Sequence, residues 1–210
     1  KGYEEPTGVT GTDYEVASTT GFLVNSLIKG QGFTNAANNG LDVVTAVVAD
    51  TTIAAAQTTV EGSPPTGANI RVVGYEGTTG DIDVDVSGSL PALTSTALDF
   101  TTLGLVPGQW IFLGGDIAAN QFSNAVNNGF KRIRTIAAQR LEIDKSDAAM
   151  VAETAAAVDL RIFFGDVIRN ETGALIKRRS YNIERTLGAP DDAAPAQIQS
   201  EVLIGAVPNE

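Results

Sequence analysis

The sequence predicts an all-β protein, built as tandem small β-barrel or β-sandwich modules with one or two short helices. Three observations carry that prediction. First, 22 glycines and 8 prolines punctuate short runs rich in Val, Ile, Thr and Phe, with turn signals about every ten residues. Second, several of those runs alternate with the two-residue period of a half-buried strand. Third, an eight-residue block recurs once along the chain, as expected of a duplicated β unit.

Taken in order, strands are expected at 41–48, 70–73, 109–113, 130–136, 140–143, 160–164, 180–186 and 198–207. The clearest alternation is Asp81-Ile82-Asp83-Val84-Asp85-Val86, which puts the aliphatic side chains on one face and the three carboxylates on the other. Helix is scarce. The Ala-rich stretch 146–157, with Ser146 as its cap, is the best candidate, and 34–38 and 118–126 are expected to hold a turn or two.

The repeated block is Phe33-Thr34-Asn35-Ala36-Ala37-Asn38-Asn39-Gly40 against Phe122-Ser123-Asn124-Ala125-Val126-Asn127-Asn128-Gly129, 89 residues apart and identical at six of eight positions. A strand candidate follows each copy. Asn-Gly tolerates positive φ and suits a tight turn, and the leading Phe is expected to anchor its loop in the core. The chain is therefore divided into a first module at 1–90, a second at 91–165 and a C-terminal segment at 166–210. Because the sequence starts at Lys1 and stops just after the apolar run Val202-Leu203-Ile204-Gly205-Ala206-Val207, it reads as a fragment of a longer protein.

Composition narrows the chemistry. The chain has no cysteine and no histidine, so disulfides, thiolate metal sites, Cys nucleophiles and a Ser-His-Asp triad are all impossible within it. Its net charge is −11, from 25 acidic and 14 basic residues, which disfavours standing contact with nucleic acid or anionic lipid. No run approaches the roughly 18 apolar residues of a membrane helix. No residue pattern singles out a catalytic, cofactor-binding or metal site.

Several residues carry two readings. Asp81, Asp83 and Asp85 are either the solvated face of an amphipathic strand or a lumen-facing or Ca²⁺-binding row, although no EF-hand spacing is present. Lys131-Arg132-Ile133-Arg134 and Lys177-Arg178-Arg179 read as solvated strand faces, as partners for acidic neighbours between subunits, or as a DNA contact. Trp110 reads as a core or interface aromatic, or as a sugar-stacking platform. Gly104, Gly114 and Gly115 read as turns, since no phosphate-loop pattern surrounds them. The Asn38-Asn39 and Asn127-Asn128 pairs read as turn chemistry rather than ligands.

One further series of motifs is present. It runs from Ser95-Thr96-Ala97-Leu98-Asp99-Phe100-Thr101-Thr102-Leu103-Gly104-Leu105-Val106-Pro107-Gly108-Gln109-Trp110-Ile111 through Leu113-Gly114-Gly115, Asn120-Gln121-Phe122 and Asn127-Asn128-Gly129-Phe130-Lys131-Arg132-Ile133. Phe164-Gly165-Asp166 and Ser180-Tyr181-Asn182-Ile183-Glu184-Arg185 follow. In order and spacing this series resembles the major tail tube proteins of siphophages and prophages, over roughly residues 20–207. The first repeat copy lacks the Pro-Gly-Gln-Trp element. The resemblance implies a non-enzymatic virion protein, assembled in the host cytoplasm, whose hexameric rings stack into a hollow tail tube. DNA would pass through the lumen without specific binding, and the tape measure and tail terminator would be further partners. It also implies that 180–207 contributes to the ring-forming sheet. The alternative from another class is an adhesion or carbohydrate-binding β module of a virion or cell surface.

Overall fold

The computed structural model describes residues 1–155 and 157–164, and the backbone of two further short strands. The protein is all-β. Its strands are β1 Tyr3–Glu4, β2 Gly8–Thr10, β3 Asp13–Glu15, β4 Ser26–Gln31, β5 Gly40–Val48, β6 Thr52–Ala55, β7 Asn69–Glu76, β8 Asp83–Asp85, β9 Ala92–Thr94, β10 Trp110–Leu113, β11 Gly129–Ala137, β12 Arg140–Ser146 and β13 Arg161–Phe163. A separate hairpin pairs β14 Val167–Arg169 with β15 Leu175–Lys177.

Strands β1–β13 form one hydrogen-bonded antiparallel sheet in the order β2-β3-β6-β5-β4-β7-β13-β10-β11-β12-β9-β8, with β1 added on β7. Read outward from its centre, β7-β4-β5-β6-β3-β2 on one side is matched by β13-β10-β11-β12-β9-β8 on the other. The duplicated block thus belongs to a duplicated strand order. The match extends to irregularities: β5 against β6 slips register between Val44 and Ala46, and β11 against β12 slips between Ile133 and Thr135, again 89 residues on. Both bulges bend their hairpin at the same point. In hydrogen bonding the chain changes halves between β7 and β8, since β8 pairs with β9 at the far end of the second half.

The halves meet where β7 and β13 run antiparallel, with Gly74 opposite Phe163, Tyr75 opposite Ile162 and Glu76 opposite Arg161. The ladder continues at both ends. Phe164 N–H donates to Val73 O at 2.7 Å, Gly77 N–H to Leu160 O at 2.8 Å and Gly80 N–H to Val158 O at 3.1 Å. Arg161 Nε donates to Glu76 Oε2 at 2.6 Å across the seam. Packing crosses it too: one continuous core joins Tyr14, Ile53 and Ile70 of the first half to Ile111, Ile133 and Leu141 of the second. A smaller cluster of Leu27, Val73, Phe112 and Phe163 lies at the seam itself.

The predicted strands at 41–48, 109–113, 130–136 and 140–143 match β5, β10, β11 and β12, and 70–73 and 160–164 mark β7 and β13. Strands β1, β2, β3, β4, β6, β9, β14 and β15 are not among the predicted strands, although β4 and β6 contain the apolar runs Leu27-Ile28 and Thr52-Ile53-Ala54. The predicted strands at 180–186 and 198–207 lie outside the described residues. The helix expected over 146–157 does not form. Ser146 ends β12, and the following residues are held extended by distant partners: Val151 by the Asn127 amide, Glu153 by a two-way backbone bridge to Val84, and Ala155 N–H by Asp83. Those bonds engage the N–H groups that a helix would need, and Met150 and Ala155 turn into the core; tertiary context overrides alanine's propensity. The structured turns elsewhere are single 3₁₀ turns, among them Ala36–Asn38, Ala118–Asn120 and Ala125–Asn127.

Gly74 is where the seam admits no side chain. A Cβ there would lie 2.5 Å from Ile162 O and 3.0 Å from Leu27 Cδ1, and the carbonyl cannot yield without breaking the ladder. Gly74→Ala is expected to cost about 1–3 kcal/mol, seen as a lower urea midpoint with an unchanged slope.

Candidate functional site

The two copies of the repeated block form two equivalent loops. In the first, Phe33 is buried and the chain makes a 3₁₀ turn at Ala36–Asn38. Asn39 Oδ1 accepts from Phe33 N–H at 3.0 Å while its Nδ2 donates to Phe33 O at 2.8 Å. Asn38, 2% exposed, mimics a strand neighbour: its Oδ1 accepts from Thr59 N–H at 2.8 Å and its Nδ2 donates to Thr59 O at 2.9 Å. The Glu61 carboxylate closes the loop, accepting from Thr34 N–H, Asn35 N–H and Asn38 Nδ2 at 2.9, 3.0 and 3.0 Å.

The second loop repeats these bonds. Asn128 Oδ1 accepts from Phe122 N–H and its Nδ2 donates to Phe122 O, at 2.9 and 2.8 Å. Asn127, fully buried, exchanges the same pair of bonds with Val151, at 2.9 and 3.0 Å. Glu153 takes the place of Glu61, accepting from Ser123 N–H, Asn124 N–H and Asn127 Nδ2. Each Glu also bridges its half's outermost strand, Glu61 to Val9 and Glu153 to Val84. Asn38 and Asn127 therefore serve as interior scaffolding, and Asn39 and Asn128 tie the loop to its phenylalanine, well beyond turn chemistry. Asn-Gly does supply the turn: Gly40 and Gly129 have φ of 117° and 88°. The two glutamates were not foreseen. Their separation is 92 residues rather than 89, so they fall out of the repeat's register, and only the shared two-residue step from Thr59 and Val151 marks them.

The loops also differ: Asn35 Oδ1 accepts from Ala37 N–H at 3.1 Å in the first, whereas Asn124 Nδ2 donates to Glu153 Oε2 at 3.1 Å in the second, and a lysine enters the second alone. Lys131 is fully buried, and its Nζ donates to Asn128 O at 2.5 Å and Val126 O at 3.3 Å. Burial pushes its ammonium below the usual lysine range, and Asp147 opposes that. The equivalent position in the first half, 89 residues earlier, is Asp42, which accepts from Val43 N–H and Gln57 N–H.

The Asp81–Asp85 row is not a solvated strand face. Ile82 and Val84 are buried as expected, but each carboxylate holds another segment. Asp81 accepts from the Ser95 hydroxyl and from Thr96 and Ala97 N–H. Asp83 accepts from Ala155 N–H at 2.9 Å. Asp85 pairs with Arg140 and accepts from Ser87 N–H. A cavity of about 440 Å³ lies beside them, lined by Asp83, Asp85, Thr94 and Glu153 among others. Among the described residues no cluster of acidic side chains has the arrangement of a metal site, and no helix is long and apolar enough to cross a membrane.

Trp110 opens β10 opposite Arg132 and is 36% exposed, which excludes a core role. Gly104 and Gly114 lie in turns with φ of 63° and 107°. Lys131 is interior, whereas Arg134 is exposed and Arg132 forms a two-pronged bond with Asp144 at 2.9 Å. Of the other basic run, Lys177 ends β15 and Arg178 and Arg179 lie outside the described residues.

Compared with known proteins, the chain matches no family model, no curated protein and no solved structure.

Removing a buried loop amide leaves the N–H and C=O of Thr59 or Val151 unsatisfied. Asn127→Ala is expected to destabilise the fold by about 1–3 kcal/mol, and Asn38→Ala similarly, both read by chemical denaturation. Acid should act on the same scaffold. For Glu61 burial opposes ionisation, but the Asn35 and Thr34 N–H groups and the Asn38 amide outweigh it and hold the carboxyl below its ordinary range. Arg140 and Ser87 depress Asp85, and Arg132 depresses Asp144. Folded pKa values below unfolded ones mean that the unfolded chain binds more protons. Stability is therefore fully present above about pH 4.5 and should fall as pH drops through the depressed folded values, which a pH series of thermal melts measures.

Proposed function

We propose that this chain is a structural, non-enzymatic subunit of a phage tail tube, which self-assembles into stacked hexameric rings that conduct DNA. The ordered motif series from Ser95 to Arg185 carries the reading. The all-β architecture supports it, as does the way the polar residues of the repeat are engaged. The Asn pairs, Glu61, Glu153 and the Asp81–Asp85 carboxylates all hold the scaffold together, as befits a protein whose task is shape. The net charge of −11 suits a conduit through which DNA slides without adhering.

Open sheets present unpaired backbone groups at their edges, and closure into a ring pairs them. In the proposed mechanism each subunit contributes strands to a sheet that becomes continuous around the ring. The tape measure and tail terminator are its further partners, and the virion tail is its location.

A second reading, a carbohydrate-binding module, draws on one observation: Trp110 is partly exposed and lies close in sequence to Val106, which is 58% exposed. Negative-stain electron microscopy of the concentrated full chain separates the two. The tube reading expects rings or tubes with a central channel. A chain that stays monomeric at high concentration with tail initiator proteins present, and binds glycans in a way lost on Trp110→Ala, would replace it with the second.

A further inference from the structure

The charges of this chain are distributed unevenly between its two matching halves. Five of the 14 basic residues fall within one hairpin, as Lys131, Arg132, Arg134, Arg140 and Lys145, whereas residues 2–70 contain one, Lys29. The four strands β2, β3, β5 and β6 hold neither Lys nor Arg. Because the halves correspond strand for strand, the two faces can be compared position by position. On β11 the outward residues flanking buried Ile133 are Arg132 and Arg134; 89 residues earlier on β5 they are Val43 and Thr45. On β3 the residues flanking buried Tyr14 are Asp13 and Glu15; their counterparts on β9, flanking buried Leu93, are Ala92 and Thr94. The β3–β6 side of the first half therefore carries only acidic charge, whereas the β11–β12 hairpin carries cations set among Glu142 and Asp144.

Within the second half Arg132 and Arg140 are already paired, and Asp144 also feels Arg134 and Lys145, but each face keeps charges that stand in no ion pair. The four ion pairs among the described residues join Arg132 to Asp144, Arg140 to Asp85 and Glu142, and Arg161 to Glu76. None involves Asp13, Glu15 or Asp50, and none involves the exposed Arg134 and Lys145. Asp13 and Glu15 receive only hydroxyl bonds from Thr12 and Thr10, at 3.2 and 3.5 Å. Asp50 sits at the exposed tip of the β5–β6 hairpin, where it accepts from Thr19 N–H at 3.3 Å. Glu15 lies opposite Thr52 at that same end.

We propose that the β11–β12 hairpin of one copy docks on the β3–β6 face of a second copy, with Arg134 and Lys145 meeting Asp13, Glu15 and Asp50. This rests on the self-assembly reading above and adds which surfaces meet. The contact joins two different faces, so it is head-to-tail: each copy keeps one acidic and one basic face to offer, and the series closes into a ring or stacks onward according to the rotation between neighbours. Two copies cannot pair like face to like face without charge repulsion. Nucleic acid fits the basic hairpin less well, because Glu142 and Asp144 interrupt it and the whole chain is acidic.

The test is a charge swap in the full chain, followed by sedimentation velocity and electron microscopy. Arg134→Glu/Lys145→Glu and Asp13→Lys/Glu15→Lys are each expected to raise the concentration needed for assembly by at least about tenfold. An equimolar mixture of the two variants is expected to assemble again, because each then offers the face the other lacks. Wild-type assembly should also weaken between about 50 mM and 500 mM salt. Variants that assemble like wild type would overturn this contact and leave the tube reading standing. Variants that fail singly and also fail when mixed would overturn it too. A wild type that remains monomeric at every salt concentration, or one that binds DNA through Arg134 and Lys145 without self-association, would overturn both.

Discussion

Between β7 and β13 two backbones approach with no side chain at Gly74, so that Gly74 faces Phe163 and the Ile162 carbonyl fills the space a Cβ would take. Everything larger in the molecule hangs on that approach. Among the described residues the ladder from Val73 to Gly80 carries the backbone hydrogen bonds that join the two halves, and it fixes which strands become central and which lie outermost. With β7 and β13 at the middle, the remaining strands add outward in the same order on both sides. The Arg161–Glu76 bond, half-buried at the seam, sets the register, because a slip of one residue would turn both charges to the opposite face.

The two Asn–Glu loops solve a shared local problem. Each half has a stretch, 56–61 or 147–155, that must return from the last hairpin strand to the outermost strand without being a full strand itself. A side-chain amide has the donor and acceptor of a peptide group. Asn38 and Asn127 use that equivalence to pair with Thr59 and Val151 as a neighbouring strand would. Burying so many polar groups is tolerable only because every one is matched. This explains why the block is identical at its phenylalanine, its asparagines and its glycine, while exposed Thr34 and Ala37 become Ser123 and Val126.

How much of this was legible depended on how far each feature reached. Strands with their own alternation, such as β5 and β11, showed in the sequence, and so did the duplication, because Phe-x-Asn-Ala-x-Asn-Asn-Gly is long enough to register. Strands of two to four residues, such as β3 and β9, carry too few side chains to display a period, and become strands through their neighbours. The region 146–157 misled because alanine favours helix locally, whereas its backbone partners, Asn127, Val84 and Asp83, lie more than twenty residues away. The Asp81–Asp85 row misled for a related reason: alternation shows which face a carboxylate takes, not whether another segment crosses that face. Glu61 and Glu153 were hidden by a three-residue difference between the halves.

Asn39-Gly40 and Asn128-Gly129 are the dipeptides at which proteins age most readily, when the glycine nitrogen attacks the asparagine side-chain carbon and ammonia departs. Here both amides are clamped at each end, by the N–H and the C=O of a buried phenylalanine. The attack requires the side chain to swing away from Phe33 or Phe122, so it can proceed only from a locally opened loop. The same bonds that shape the fold thus set a chemical clock, and the chemical lifetime of the chain becomes tied to how seldom these two loops come undone.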